Sequence, residues 1–341
     1  MKYTLKDIAE KCDVSLSTVS LVLNGKPGIS ESTRKRVLEA VEEFNIKVEK
    51  SVLNGLSRGT IAFLKIARHG HTVNPDHDVF IASYIEGLSL EARAHNYVLE
   101  VIPLFNKDMD MAQIVKSLNH ENFVGFVVLG TELNYADFSV LKSLKLPIVI
   151  LDSYYEIMDF DFVDMDNFNS VYQIVENLLN RGHKKIGFLR SNTDVQNFRL
   201  REKAFQEVLE HFKIPKEDQY IYTVEATFNG AYLDTLKILD KKTELPTAIF
   251  AINDIVAYGC IKALKEKEIK IPDDISIIGF DDLPMSAMSD PPLTSMAVNK
   301  IRMGQTAIRL LISRIKLKGK KPSEKILIGG SLVTRKSVKP I

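Results

Sequence analysis

From Thr60 onward the chain repeats one unit, a strand-sized apolar run followed by a helix-length amphipathic segment, in two series. The first series comprises TIAFLKI, YVLEVIPL, VGFVVLG and PIVILD. The second comprises KKIGFL, TAIFAI and ISIIGF, separated by stretches such as REKAFQEVLEHF and DIVAYGCIKALKEK. Short apolar runs alternating with helices are what a parallel sheet requires, because its crossover helices cover both faces and bury the strands. Two series predict two doubly wound α/β lobes. Ligands bind such sheets beyond the carboxyl ends of the strands. Asp152 follows PIVIL, Asn253 and Asp254 follow TAIFAI, and Asp281 and Asp282 follow ISIIGF. A single Asp or Asn at a strand end is often just the cap of the next helix. Polar residues at three strand ends favour a ligand cleft between the lobes.

The first fifty residues read as helical throughout. Thr4, with Asp7 three places on, makes a capping-box-like start for TLKDIAEKC, whose Ile8 and Ala9 face inward. Asp13-Val14-Ser15 makes a turn, GKPG (residues 25–28) breaks the chain, and Ser30 caps ESTRKRVLEAVEEF, with Val37, Leu38 and Val41 at helical spacing. Three short helices with a tight turn between the first two form a helix-turn-helix. The middle helix lies in VSLSTVSLVLNG. On a 3.6-residue period Val19, Val22 and Leu23 share one side, and Ser17, Ser20, Leu21 and Asn24 the other. On an isolated surface helix that polar side would simply be solvated, so its neighbours decide its meaning.

At 341 residues and 38.5 kDa, two or three domains are expected. Hydrophobic residues at 45% and charged residues at 26% fit a soluble globular protein, and no apolar run approaches a membrane span. MKYTLKDIAEK has no signal-peptide core, and Cys12 and Cys260 lie too far apart in sequence to suggest a disulfide framework or a ligand pair. A cytoplasmic protein with reduced thiols is the expectation. The net charge of +1 points to no partner, and residues 1–60 hold only ten Lys/Arg against eight Asp/Glu, so a basic patch there must come from arrangement. Carboxylates at strand ends are compatible with acid–base catalysis. No Gly-x-Ser-x-Gly elbow, P-loop or His-Glu-x-x-His helix accompanies them, and neither enzyme nor cofactor is expected.

The segment TLKDIAEKCDVSLSTVSLVLNGKPGISESTRKRVLEAVEE closely resembles the N-terminal domain of the lactose-repressor (LacI/GalR) family. Downstream, RGHKKIGF, PTAIFAINDIVAYG, IPDDISIIGFDD and DPPLTSM resemble that family's core motifs in order and spacing. A helix-turn-helix is common, whereas the whole series is specific. The resemblance implies an all-α helix-turn-helix headpiece (residues 1–46), a hinge (47–59) and a periplasmic-binding-protein-like core (60–341) for effector binding and dimerisation. Its first lobe is expected at about 60–153 and 290–317, its second at about 154–289 and 318–341. It also implies a homodimeric transcriptional regulator, a repressor on this reading, that binds a pseudo-palindromic double-stranded DNA operator under the control of a small molecule.

In that family the helix within VSLSTVSLVLNG is the recognition helix. Ser15, Thr18, Ser20 and Asn24 would then meet phosphates, with Thr4 and Arg34 also on the DNA side, and Leu16, Ser17 and Leu21 match base-reading positions. Family members often carry a long polar residue where Leu21 stands, and Leu21 is limited to apolar contact such as a thymine methyl. The hinge NIKVEKSVLNGLSRGT lacks the family's usual proline. Counting back from the first core strand puts Leu53 at the minor-groove wedge position, with Leu56 the alternative.

Asp152, Arg201, Asn253 and Asp281 match positions that commonly contact effector, and Phe80 matches a ligand-facing one. Carboxylates, an amide and a guanidinium suit a polyhydroxylated ligand, and an aromatic face suits a sugar's apolar side. Arg199 competes with Arg201, because the glycine that usually follows is Ala204 here. Between Ile61 and Phe80 the chain runs some eight residues longer than typical members, through ARHGHTVNPDHD. His69, His71 and His77 beside Asp76 and Asp78 are natural metal-ligand types, but their spacing matches no metal motif, and no metal is expected. A loop at the mouth of the effector pocket is the preferred reading of this stretch.

Overall fold

The structure, a computed structural model, describes residues 5–23, 29–43, 57–105, 110–119, 121–215, 217, 220–241, 244–317 and 322–341. Thr4, Asn24, Leu53, Leu56 and the hinge up to residue 56 lie outside these residues, as does the side chain of Ser20.

Three helices form the N-terminal unit: α1 (Leu5–Lys11), α2 (Leu16–Leu23) and α3 (Glu31–Glu43). Asp13, with a φ of 48°, turns the chain between the first two, and the Ser15 hydroxyl accepts from the Thr18 N–H at 3.1 Å to cap α2. Ser30 caps α3 in the same way, through the Thr33 N–H at 3.2 Å. Ile8, Ala9, Cys12, Val19, Val22, Val37 and Ala40 make a small buried cluster of their own. Leu38, expected on the inner face, is 43% exposed instead; Val37, Ala40 and Val41 supply the stripe.

The first core sheet contains β1 (Thr60–Ala67), β2 (Val98–Phe105), β3 (Phe123–Leu129), β4 (Ile148–Leu151), β5 (Asp161–Met165) and β11 (Lys325–Ile328). Its order is β11-β5-β4-β3-β1-β2, parallel throughout. Successive residues of β1 face opposite sides, and both sides are buried. Ile61 and Phe63 join the cluster under α4 (Asp78–Ala94) and α12 (Lys300–Lys316). Ala62, Leu64 and Ile66 join the one under α5 (Met111–Leu118) and α6 (Tyr135–Leu141). Glycine lets α4 and α12 touch: a Cβ on Gly87 would stand 2.2 Å from the Ile301 carbonyl oxygen.

The second sheet contains β6 (Ile186–Ser191), β7 (Ile221–Val224), β8 (Ala248–Ala251), β9 (Ser276–Asp281), β10 (Thr294–Ala297) and β12 (Ser331–Val333). Its order is β12-β10-β9-β8-β6-β7, with β12 alone antiparallel to its neighbour. The helices α7 (Asn167–Asn180), α8 (Gln196–His211), α9 (Phe228–Leu239) and α10 (Asp254–Glu266) belong to this lobe, with the short α11 (Pro284–Met288).

Sheet membership corrects the lobe boundaries expected above. β5 and β11 pair in the first sheet, although 154–289 and 318–341 were assigned to the second lobe. β10 pairs in the second sheet, although 290–317 was assigned to the first. The chain therefore crosses between lobes three times, near 166, near 299 and at 329–330, always at the same edge of the two sheets.

Candidate effector pocket and recognition helix

Carboxyl ends of strands from both sheets meet at a small cavity of about 40 Å³, lined by Thr72, His77, Phe80, Thr131, Asp152, Asn197, Phe198, Arg201, Asn253 and Asp281 among others. All five residues expected to meet effector lie in its wall. Phe80 packs edge-on against Tyr84 at 5.0 Å between ring centroids. Asp152 follows β4 in a left-handed conformation, φ 65°, and Asp281 ends β9 at φ 111°.

Asp152 accepts from the Tyr84 hydroxyl at 2.8 Å and from the Thr131 hydroxyl, and Asn197 Nδ2 reaches it at 3.3 Å. The same Asn197 nitrogen donates to Asp164 at 3.2 Å. Burial pushes both carboxyl pKa values up, and the neighbouring Asp152 charge pushes Asp164 further. Arg201 is buried and held on three sides. It donates to Asn167 Oδ1 at 3.0 Å and to the Ile252 carbonyl at 2.8 Å, and its guanidinium stacks 3.7 Å from the Phe280 ring centroid. Its Nη2 stands 3.8 Å from Asp281 Oδ1, a buried oxygen with no hydrogen-bond partner among the described residues. Burial outweighs the attraction of Arg201 and raises the Asp281 pKa to about 7.

Arg199 points elsewhere, into an exposed ion pair with Asp194 at 2.7 Å. Asp254 and Asp282, also named as strand-end residues, do structural work. Asp254 accepts from the Leu283 N–H and from the Ser286 and Ser295 hydroxyls at 2.6–2.8 Å, and Asp282 pairs with Arg335 at 2.6 Å. The pocket residues not singled out from sequence are Ile81, Thr131, Val195, Asn197 and Phe198, with Asp164 behind them, while Thr72 and His77 come from the stretch expected at its mouth. Asn197 stands four residues before Arg201 on α8, and that helical spacing was the available signal. Of the histidine-rich stretch only Thr72 and His77 line the cavity. Among the described residues no three His, Cys, Asp or Glu side chains converge as a metal site requires.

On α2, Leu16 and Leu21 are 53% and 40% exposed, large apolar side chains held in solvent beside the hydroxyl cluster of Ser15, Ser17 and Thr18. Ser15 Oγ lies 2.6 Å from Ser17 Oγ and 2.8 Å from Thr18 Oγ1, so the hydroxyls expected on phosphates also bond one another. Arg34 Nη1 reaches back to the Val22 carbonyl at 3.4 Å, near the end of α2. No helix among the described residues is long and apolar enough to cross a membrane.

Comparison with known proteins follows the same division. Residues 4–47 match the family described as bacterial regulatory proteins, lacI family, and residues 175–338 match a periplasmic binding protein-like domain. The HTH-type transcriptional repressor PurR of Histophilus somni is 31% identical over 352 positions, covering 99% of each chain. The lac repressor dimer bound to operator and an anti-inducer shares the fold, with a TM-score of 0.78 at 23% identity over 99% of this chain and 100% of that one. A LacI-family regulator from Enterococcus faecium with bound ribose is 26% identical, with a TM-score of 0.67 over 83% of this chain and 99% of that one. The chain belongs to the lacI family of bacterial regulatory proteins, and it is a DNA-binding transcriptional repressor of a ligand-responsive family rather than an enzyme.

Proposed function

We propose that the protein represses transcription in the cytoplasm as a homodimer on a pseudo-palindromic operator, and that a sugar or sugar derivative between the lobes sets its operator affinity. The observation that carries the effector reading is the buried Asp281 Oδ1 in the cavity wall, which accepts no hydrogen bond among the described residues and suits a ligand hydroxyl. Asp152, Asn253 and Arg201 add acceptors and donors around it, and Phe80 and Phe198 offer faces for the apolar side of a sugar ring. The ribose-bound relative from Enterococcus faecium supports the same class.

On DNA, Leu16, Ser17 and Leu21 meet base edges, while Thr4, Ser15, Thr18, Ser20, Asn24 and Arg34 meet phosphates and Leu53 wedges into the minor groove. Two headpieces are needed because one reads only a half-site. A ligand touching both lobes favours their closed arrangement, which alters the spacing of the hinges and so of the headpieces. Such coupling is typically about 1–3 kcal/mol and is reciprocal between ligand and operator.

The test is calorimetric titration of the full chain with pentoses, hexoses and free nucleobases, with and without operator. A sugar that binds with operator-dependent affinity is the expected result. Identical affinities in both arms would overturn the allosteric reading, and a nucleobase as the tight binder would overturn the sugar. Selection from random duplexes completes the test, since an asymmetric site bound by a monomer would refute the dimeric operator.

A further inference from the structure

Residues 68–77, between β1 and α4, are organised by one buried carboxylate from the turn after β3. Glu132 Oε2 accepts from the backbone N–H groups of Arg68, His69 and Gly70 at 2.7, 2.9 and 3.0 Å. Its Oε1 accepts from the N–H groups of Thr72 and Val73 and from the Thr72 hydroxyl at 2.8–2.9 Å. Burial alone would raise the Glu132 pKa, but the donated N–H groups and nearby His69 lower it overall, so the group stays ionised.

The segment anchored in this way to the first lobe reaches the second lobe at three points. Asn253 Nδ2 lies 3.2 Å from His77 Nε2, and Asn74 Oδ1 lies 3.0 Å from His77 Nδ1. An amide nitrogen only donates, so Nε2 accepts and the imidazole is neutral. The Asp76 carboxylate accepts from the Phe228 N–H at 3.2 Å, at the start of α9. His71 Nδ1 stands 3.6 Å from Glu225, just after β7.

The position of these contacts gives them a role. The three chain crossings lie at the edge of the sheets formed by β5, β11, β10 and β12, whereas β7, which leads to Glu225 and Phe228, is the opposite edge of the second sheet. Lobes that hinge on the crossings open at the far edge, and residues 68–77 bridge that edge while Thr72 and His77 line the cavity behind it.

We propose that residues 68–77 form a latch across the mouth of the cleft, restricting the effector to a small molecule enclosed whole and excluding glycosides extended toward the mouth. The proposal rests on the reading of the cavity as the effector site.

The test titrates the full chain with matched pairs: ribose, glucose and galactose against their phenyl glycosides, and adenine against adenosine. Wild type should prefer the smaller member at least 100-fold. The double variant His71→Ala/Asp76→Ala, which leaves every cavity-lining side chain in place, should bring that preference below tenfold. Equal affinity of wild type for both members, or an unchanged ratio in the variant, overturns the latch. A preference for adenine over adenosine with no sugar bound would sink the sugar reading and uphold the latch, while no binding by any member would count against both. A ligand-free measurement decides independently: amide exchange at Phe228 should be slowed in wild type and accelerated at least tenfold in Asp76→Ala. Equal exchange in the two proteins overturns the latch.

Discussion

Glu132→Gln keeps the shape of the side chain that organises residues 68–77 and replaces one acceptor oxygen with an NH2 group. Whichever way the amide turns, three donors that now point at a carboxylate oxygen would face another donor. The favoured orientation keeps the oxygen on Thr72 and Val73, which are buried, and turns the nitrogen toward Arg68, His69 and Gly70, which are half-exposed. Water can serve those three N–H groups. Each lost bond therefore costs about 1 kcal/mol, below the roughly 1.5–3 kcal/mol of a hydrogen bond to a fully buried charge. The sum is about 3 kcal/mol. Urea unfolding of the full chain should show the loss in its first transition, with the exposed Glu121→Gln as a control expected within about 0.5 kcal/mol of wild type. The pH dependence gives a second reading. Glu132 has a folded pKa below its unfolded value of about 4.3, so its contribution is complete above that value and is lost as pH falls through the folded one. The difference between wild type and variant should thus be flat from pH 8 to 5 and shrink below about pH 4. A variant as stable as the Glu121→Gln control would refute the reasoning.

Three further outcomes are expected. Leu21→Arg should change the preferred bases rather than abolish binding, because an arginine reaches guanine edges and a bidentate contact is worth about 1–3 kcal/mol of discrimination; selection from a random duplex library returning the wild-type motif would show that Leu21 reads no base. Arg201→Ala should abolish the operator's response to effector in a gel shift, whereas Arg199→Ala, whose side chain pairs with Asp194 and Tyr155 away from the cavity, should leave it intact. Effector affinity measured by calorimetry should fall as pH drops below about 7, since a ligand hydroxyl donates to the ionised Asp281, and Asp281→Asn should flatten the profile. Stability moves the same group the other way: with its folded pKa above the unfolded one, the buried carboxyl costs stability as pH rises from about 4 toward 7.

The sequence carried the parts of this protein that depend on local pattern. Both-face burial made β1, β3, β4, β8 and β9 readable as apolar runs, and hydroxyl caps with a breaker marked the three N-terminal helices. β5 was not readable as a strand because DFVDM carries two aspartates, one clamped by Arg314 at 2.6 Å and one buried beside the pocket. Its place in the first sheet depends on β4 and β11, partners 10 and 160 residues away, which no local periodicity reports. The pocket divides in the same way. Asp152, Asn253 and Asp281 announced themselves at strand ends, and Arg201 by resemblance. Thr72 and His77 arrive through a loop whose conformation is set by Glu132, some sixty residues later in the chain. A carboxylate whose partners are mainly backbone N–H groups leaves no side-chain signature to read.

The three crossings also set the order in which the protein can be finished during synthesis. β11 completes the first sheet and β12 the second, and both come after every other strand. At about 5–20 residues per second, a ribosome makes the N-terminal helices roughly 15–60 s before it reaches Lys325. The headpiece, with its own buried cluster, can fold in that interval, while β5 and β10 each still offer an open edge to any passing strand. A nascent chain stalled just short of Lys325 would therefore carry a DNA-reading unit on two incomplete sheets, and those two edges are where a chaperone would be expected to bind it.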